Sequence, residues 1–83
     1  SNNFNEQANQ ALGNLKRVLS AAGTSMKDVV KTTIYFRDME DLPKFREVRK
    51  KYLGDNVAST VVEINQLARP ELLIEIEAIA VIK

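Results

Sequence analysis

Glu75 and Glu77 stand two apart in a stretch that alternates apolar and polar residues, ELLIEIEAIAVIK from Glu71 to Lys83. In an extended chain this spacing points both carboxylates to one face, about 7 Å apart. A carboxylate held in a cleft can take a proton from water. The same pair can equally be ordinary polar residues of a sheet face, matched across the strands by Lys31. Ser59 and Thr60 can donate hydrogen bonds to a small acid, but without a neighbouring base neither is a nucleophile. As residues where a loop enters a strand, they need no special role. Tyr35 lies on the polar side of another extended stretch, where it can stack on a ligand or pack against a second subunit. Lys44, Arg46, Arg49, Lys50 and Lys51 can form a phosphate-binding surface. Glu47 interrupts that run, and a solvated helix face accounts for its spacing.

The composition limits the chemistry further. The 83 residues contain no histidine and no cysteine. The commonest metal ligand, the side chain that titrates near neutrality, disulfides and thiolate metal sites are all missing. A serine or cysteine nucleophile paired with histidine is excluded within this chain. Twelve basic and eleven acidic residues leave a net charge of +1, which gives no bulk attraction to nucleic acid or membrane. No apolar run approaches the roughly 20 residues of a membrane span, and no stretch resembles a signal peptide, so a cytoplasmic protein is expected. The length allows a single domain, 1–83, with a modest core. Oligomerisation is the remaining way to bury more area.

The elements that must position these residues are legible from periodicity. Phe4, Ala8, Ala11, Leu12, Leu15, Val18, Leu19 and Ala22 recur at three and four, which predicts an amphipathic helix over 4–22. Asn3 or Asn2 can cap it, and Gly23 suits a left-handed stop. Gly13, inside the helix, either permits a close approach or is simply tolerated. Ser25 and Asp28 have capping-box spacing. Residues 29–37 then read as a strand, with Val30, Thr32, Ile34 and Phe36 on one face. Val29, Lys31, Thr33, Tyr35 and Arg37 fall on the other. Asp41 and Pro43 open a second helix whose apolar stripe is Leu42, Phe45, Val48, Tyr52 and Leu53, with Gly54 as its end and Asp55-Asn56 as a loop. A third stretch, 59–65, alternates Thr60, Val62 and Ile64 against Val61, Glu63 and Asn65. Gln66 to Pro70 turns the chain into the last strand, Leu72 to Ile82, roughly 35 Å long and expected at the centre of the sheet.

The order is helix, strand, helix, strand, strand. A strand–helix–strand unit implies a parallel pair, and the short final connection implies an antiparallel return. The expected fold is therefore α+β, a mixed sheet with two helices on one face. Nothing within the chain covers the other face.

Several segments resemble one family closely. The run LKRVLSAAG, then SMKDVVKTTIYFRDMEDLPKFREVRKKYLGDN, STVVEI and finally IEIEAIAVIK, is similar to the RidA (YjgF) family, also known as the endoribonuclease L-PSP family. IEIEAIAV and DVVKTTIYFRDM carry the resemblance. It spans nearly the whole chain but only about the last two-thirds of a family member, whose N-terminal strands have no counterpart here. It implies a chorismate-mutase-like (ferredoxin-like) sheet, a homotrimer joined through the sheet faces, and a small-molecule ligand in the clefts between subunits. It also implies hydrolysis of enamines and imines (2-iminobutanoate, 2-iminopropanoate) to keto acids and ammonia, without metal or cofactor. Some members are called ribonucleases, and loss of the chemistry with retention of ligand or partner binding is a further reading. The resemblance makes Glu75 the residue that orients water and leaves Glu77 structural. In the family pattern P-A-R-S-[CT]-V-E-V an arginine holds the substrate carboxylate. Setting Val62-Glu63-Ile64 on V-E-V puts Ser59 in the arginine's place, with Thr60 beside it. Arg69 lies in the next turn and does not match the pattern.

Overall fold

The computed structural model describes residues 3–54 and 57–81. Helix α1 spans Phe4–Ala21, strand β1 Val29–Phe36, helix α2 Leu42–Arg49, strand β2 Ala58–Glu63 and strand β3 Ile74–Ala80. Single 3₁₀ turns, Met26–Asp28 and Met39–Asp41, lead into β1 and α2. The α-β-α-β-β order, the parallel β1–β2 pair and the antiparallel β3 agree with the sequence pattern.

Local chemistry explains the ends of α1. Asn3 accepts from the Glu6 N–H at 3.1 Å, which satisfies one of the free donors of the first turn. At the other end Gly23 has φ +82°, Gly23 N–H reaches Ser20 O and Thr24 N–H reaches Leu19 O. That pair of bonds is a Schellman stop, and the positive φ is why glycine serves there. The capping box at Ser25 and Asp28 is formed, with Thr24 also donating to Asp28 at 2.6 Å. Asp41 makes no side-chain cap bond; it pairs instead with Lys44 at 3.5 Å, while Asp38 caps the preceding turn. Helix α2 ends at Arg49, short of Gly54, because the next N–H groups tighten onto Val48 O and Arg49 O. Tyr52 and Leu53 lie beyond the helix. Asn2, Asp55, Asn56 and Ile82 lie outside the described residues.

The sheet order is β2-β1-β3. The central strand is therefore β1, and the last strand is an edge among the described residues. β1 can hold the centre because seven of its residues pair with β3 and six with β2. β3 is also shorter than the alternation suggests: Leu72 N–H bonds back to Arg69 O, so the chain is still turning at Leu72. A second departure sits at the start of β1. Val29 pairs with Ala80 but Lys31 with Ile79, so one extra residue is accommodated there. This bulge brings Val29 into the core and leaves Val30 exposed, reversing the faces that strict alternation gives them.

Both helices cover one sheet face. Phe36 is fully buried between Phe4 and Phe45, with ring centroids 5.6 and 5.5 Å away and near-perpendicular planes. Such edge-to-face pairs add about 0.5–1.5 kcal/mol each beyond area burial. Ala8, Leu12, Ile34, Val48, Leu53 and Ile74 complete the packing. No helix among the described residues is long and apolar enough to cross a membrane.

Candidate functional site

The face of the sheet away from the helices carries most of the residues singled out for chemistry. Register places Thr60, Thr33 and Glu77 in one row across β2, β1 and β3. Val62, Tyr35 and Glu75 form the next row. Glu75, Glu77, Thr60 and Lys31 are exposed, and Tyr35, Thr33 and Val62 are half-buried. Thr60 and Glu75 thus share a face but stand two strands apart, roughly 10 Å of sheet with β1 between them.

Tyr35 lies directly opposite Glu75, yet its hydroxyl donates to the diagonal neighbour, Glu77 Oε1, at 3.2 Å. Loss of water around the phenol, the Glu77 charge, the hydrogen bond to Glu77 and the Glu75 charge together raise its pKa above the ordinary 10.0. Tyr35 is therefore a protonated donor well past neutral pH, set beside two carboxylates. The arrangement favours a positively charged or hydrogen-bond-donating group at the centre of this face. Glu77 is thereby engaged by Tyr35, whereas cross-strand matching had suggested Lys31. Glu75 makes no hydrogen bond or ion pair to another described residue, which leaves it available to water.

Ser59 lies elsewhere. It pairs with Thr32, which is buried beneath the helices, so both side chains occupy the helix side of the sheet. The two hydroxyls are 2.9 Å apart. The structure thus separates Ser59 from Thr60 and Glu75 by the thickness of the sheet, because successive residues of a strand face opposite ways.

The basic run of α2 is also divided. Lys44 pairs with Asp41 and Lys50 with Glu47, while Arg49 turns inward and donates to Val57 O at 3.4 Å and Ser59 Oγ at 3.5 Å. A continuous phosphate-binding surface is therefore not what these residues build. The inward turn of Arg49 had a signal in the sequence: it lies at i+4 from Phe45 and i+7 from Leu42, on the apolar stripe. Two more contacts escaped sequence reasoning. Glu63 accepts from the Met39 N–H at 2.7 Å, anchoring the turn before α2. The Gln7 amide donates to Glu71 O at 3.0 Å and accepts from Leu73 N–H at 2.8 Å, standing in for a strand partner where β3 begins.

Residues 1–82 match the family model described as Endoribonuclease L-PSP. A RutC family protein of Pyrococcus horikoshii is 46% identical over 76 residues, covering 90% of this chain and 60% of that protein. The 2-iminobutanoate/2-iminopropanoate deaminase of Mus musculus is 43% identical over 77 residues, covering 92% of this chain and 56% of the mouse protein. The chain thus spans somewhat more than half the length of these relatives. Among solved structures, a member of the YjgF/YER057c/UK114 family from Mycobacterium tuberculosis superposes with a TM-score of 0.93 at 32% identity, covering 99% of this chain and 70% of that one.

Proposed function

The chain belongs to the RidA (YjgF) family, and on that premise we propose that it acts on small imines or enamines in a cleft between copies of itself. The observation that carries this reading is the unengaged Glu75 on an uncovered sheet face, directly opposite Tyr35 and one row from Glu77. A second copy set against this face would exclude water from the apolar side chains there, Val62 and the exposed Ile79 and Val81. We favour a trimer, with one cleft between each pair of subunits. In the reaction an enamine first takes a proton on carbon to become the imine. Water then adds to the imine carbon, the C–N bond breaks, and a keto product and ammonia leave. Glu75 would take the proton from the attacking water, and the local negative charge favours the protonated imine. The chain is read as one RidA-like domain that corresponds to the later part of its relatives.

Hydrolysis of amino-acid-derived imines should be slow. Ser59 occupies the position of the family's arginine and faces the helices, where it is bonded to Thr32. On the open face, Lys31 is the cation among the described residues of the three strands. This observation supports a second reading, in which the protein binds a small ligand or partner without turnover. Nucleic-acid binding is the weakest reading, since the α2 basic run is broken by its own ion pairs. Affinity for RNA that ignores salt would count against it altogether.

The deciding assay is keto-acid release from enzymatically generated 2-aminoacrylate. A slow rate above buffer is expected, lost in Glu75→Gln and retained in Glu77→Gln. No rate from a folded, assembled protein would overturn hydrolysis and leave the binding reading.

A further inference from the structure

The charges on the open sheet face are set apart from one another. Lys31 on β1 is exposed, as are Glu75 and Glu77 on β3. The β2 residues on this side, Thr60 and Val62, are uncharged, and Arg37, past the end of β1, is bonded to Pro70 O. Glu77 stands opposite Thr33, so Lys31 and Tyr35 are its two diagonal neighbours. A long side chain can reach across either diagonal. The Glu77 carboxylate turns to Tyr35. Lys31 takes part in none of the ion pairs among the described residues and stands opposite Ile79, which is exposed. The row of Tyr35 and Glu75 lies four residues from that of Lys31, roughly 13 Å along the sheet. The face is thus basic and apolar at one end and acidic at the other. Its two carboxylates, about 7 Å apart, have a phenol between them and no cation. A face with opposite charges at its two ends is complementary to another copy of itself, and like ends repel.

We propose that, where copies of the chain meet at this face, Lys31 of one copy pairs with Glu77 of the next. One oxygen of Glu77 keeps the Tyr35 hydroxyl and the other accepts the ammonium, since a carboxylate has acceptor sites for both. Ile79 enters the contact beside Lys31, and the water it excludes would otherwise screen the pair. The neighbouring copy's cation then lies one row from Glu75, where the chain has none of its own. The site around Glu75 is complete only in the assembly. This inference rests on the reading that copies meet at the open face, and adds to it the pair of residues that sets their register.

Sedimentation of the parent and of charge-reversed chains tests the pair. The parent should assemble, and less tightly as salt is raised. Lys31→Glu and Glu77→Lys should each raise the dissociation constant by about tenfold or more. Far-UV circular dichroism should not change, because both positions are exposed. Mixing the two variants should restore mass, since each then offers the other an opposite charge, and placing both substitutions in one chain should do so too. The gain on mixing separates a contact between copies from a pair within one chain, which mixing cannot mend. If the parent assembles and both single variants assemble equally well, the pair is overturned and the assembly stands. Weakened variants that gain nothing on mixing would overturn the pair as well. A parent that stays a single chain would overturn the assembly itself, and this contact with it.

Discussion

At Tyr35 the phenol sits between two carboxylates, and its titration reports how closely they approach. Its pKa is raised in the folded chain, so the folded state holds this proton more tightly than the unfolded one. The stabilisation is complete below the ordinary value of 10.0 and is lost as pH rises through the higher folded value. Glu77→Gln removes one of the charges, so the phenol should ionise at lower pH than in the parent. Tyrosinate absorbance measured against pH checks this, and an unchanged titration would mean that Glu77 is not the partner. At Ser59 the expectation differs from what the family pattern suggests. Arginine there would be the residue the pattern calls for, but here it would remove the Thr32 partner and crowd the Arg49 guanidinium. Ser59→Arg should lower stability by about 1–2 kcal/mol in urea unfolding and should create no new imine turnover. The residue types at 59 and 60 were readable, but the face each occupies depends on the register against β1.

Two glycines, one inside α1 and one just past its end, have opposite expectations. At Gly13 the nearest atom to an added Cβ is the Tyr52 hydroxyl at 4.0 Å, an ordinary contact, so no close approach requires glycine. Gly13→Ala should stabilise by about 1 kcal/mol through helix propensity. At Gly23 there is open space but φ is +82°, which a side chain resists. Gly23→Ala should cost about 1 kcal/mol. Shifts of the urea midpoint in opposite directions at constant slope check the pair. The bulge at Val29–Val30 was invisible to alternation. It depends on pairing with Ala80 and Ile79, fifty residues away, and a period-two pattern carries no count of its partner.

For the whole molecule, the open sheet face is the feature that a single chain does not resolve. Its centre is polar, at Tyr35, Glu75 and Glu77, and Ile79 at 57% and Val81 at 49% exposure leave apolar surface along β3. Ile79→Glu should leave the folded chain intact, since the side chain is exposed and outside the core, and should dissociate the proposed trimer, lowering the solution mass toward that of one chain. Sedimentation measures this, and an unchanged assembly would place the subunit contact elsewhere. By itself the sequence determined the order of elements, the direction of the strands and the greater part of the helix stripes, because these follow from local periodicity and connection length; Val18, given to the first stripe, is 64% exposed, and Tyr52 and Leu53, given to the second, lie past the end of α2. The resemblance of IEIEAIAV to the family also singled out Glu75 as a candidate. Only the tertiary structure decided that β1 rather than the last strand is central, since strand order is a matter of long-range pairing. It likewise decided that Ser59 and Glu75 lie on opposite sides of the sheet. Alternation says that neighbours in a strand diverge, and only the packing of Phe4, Phe36 and Phe45 says which side is covered.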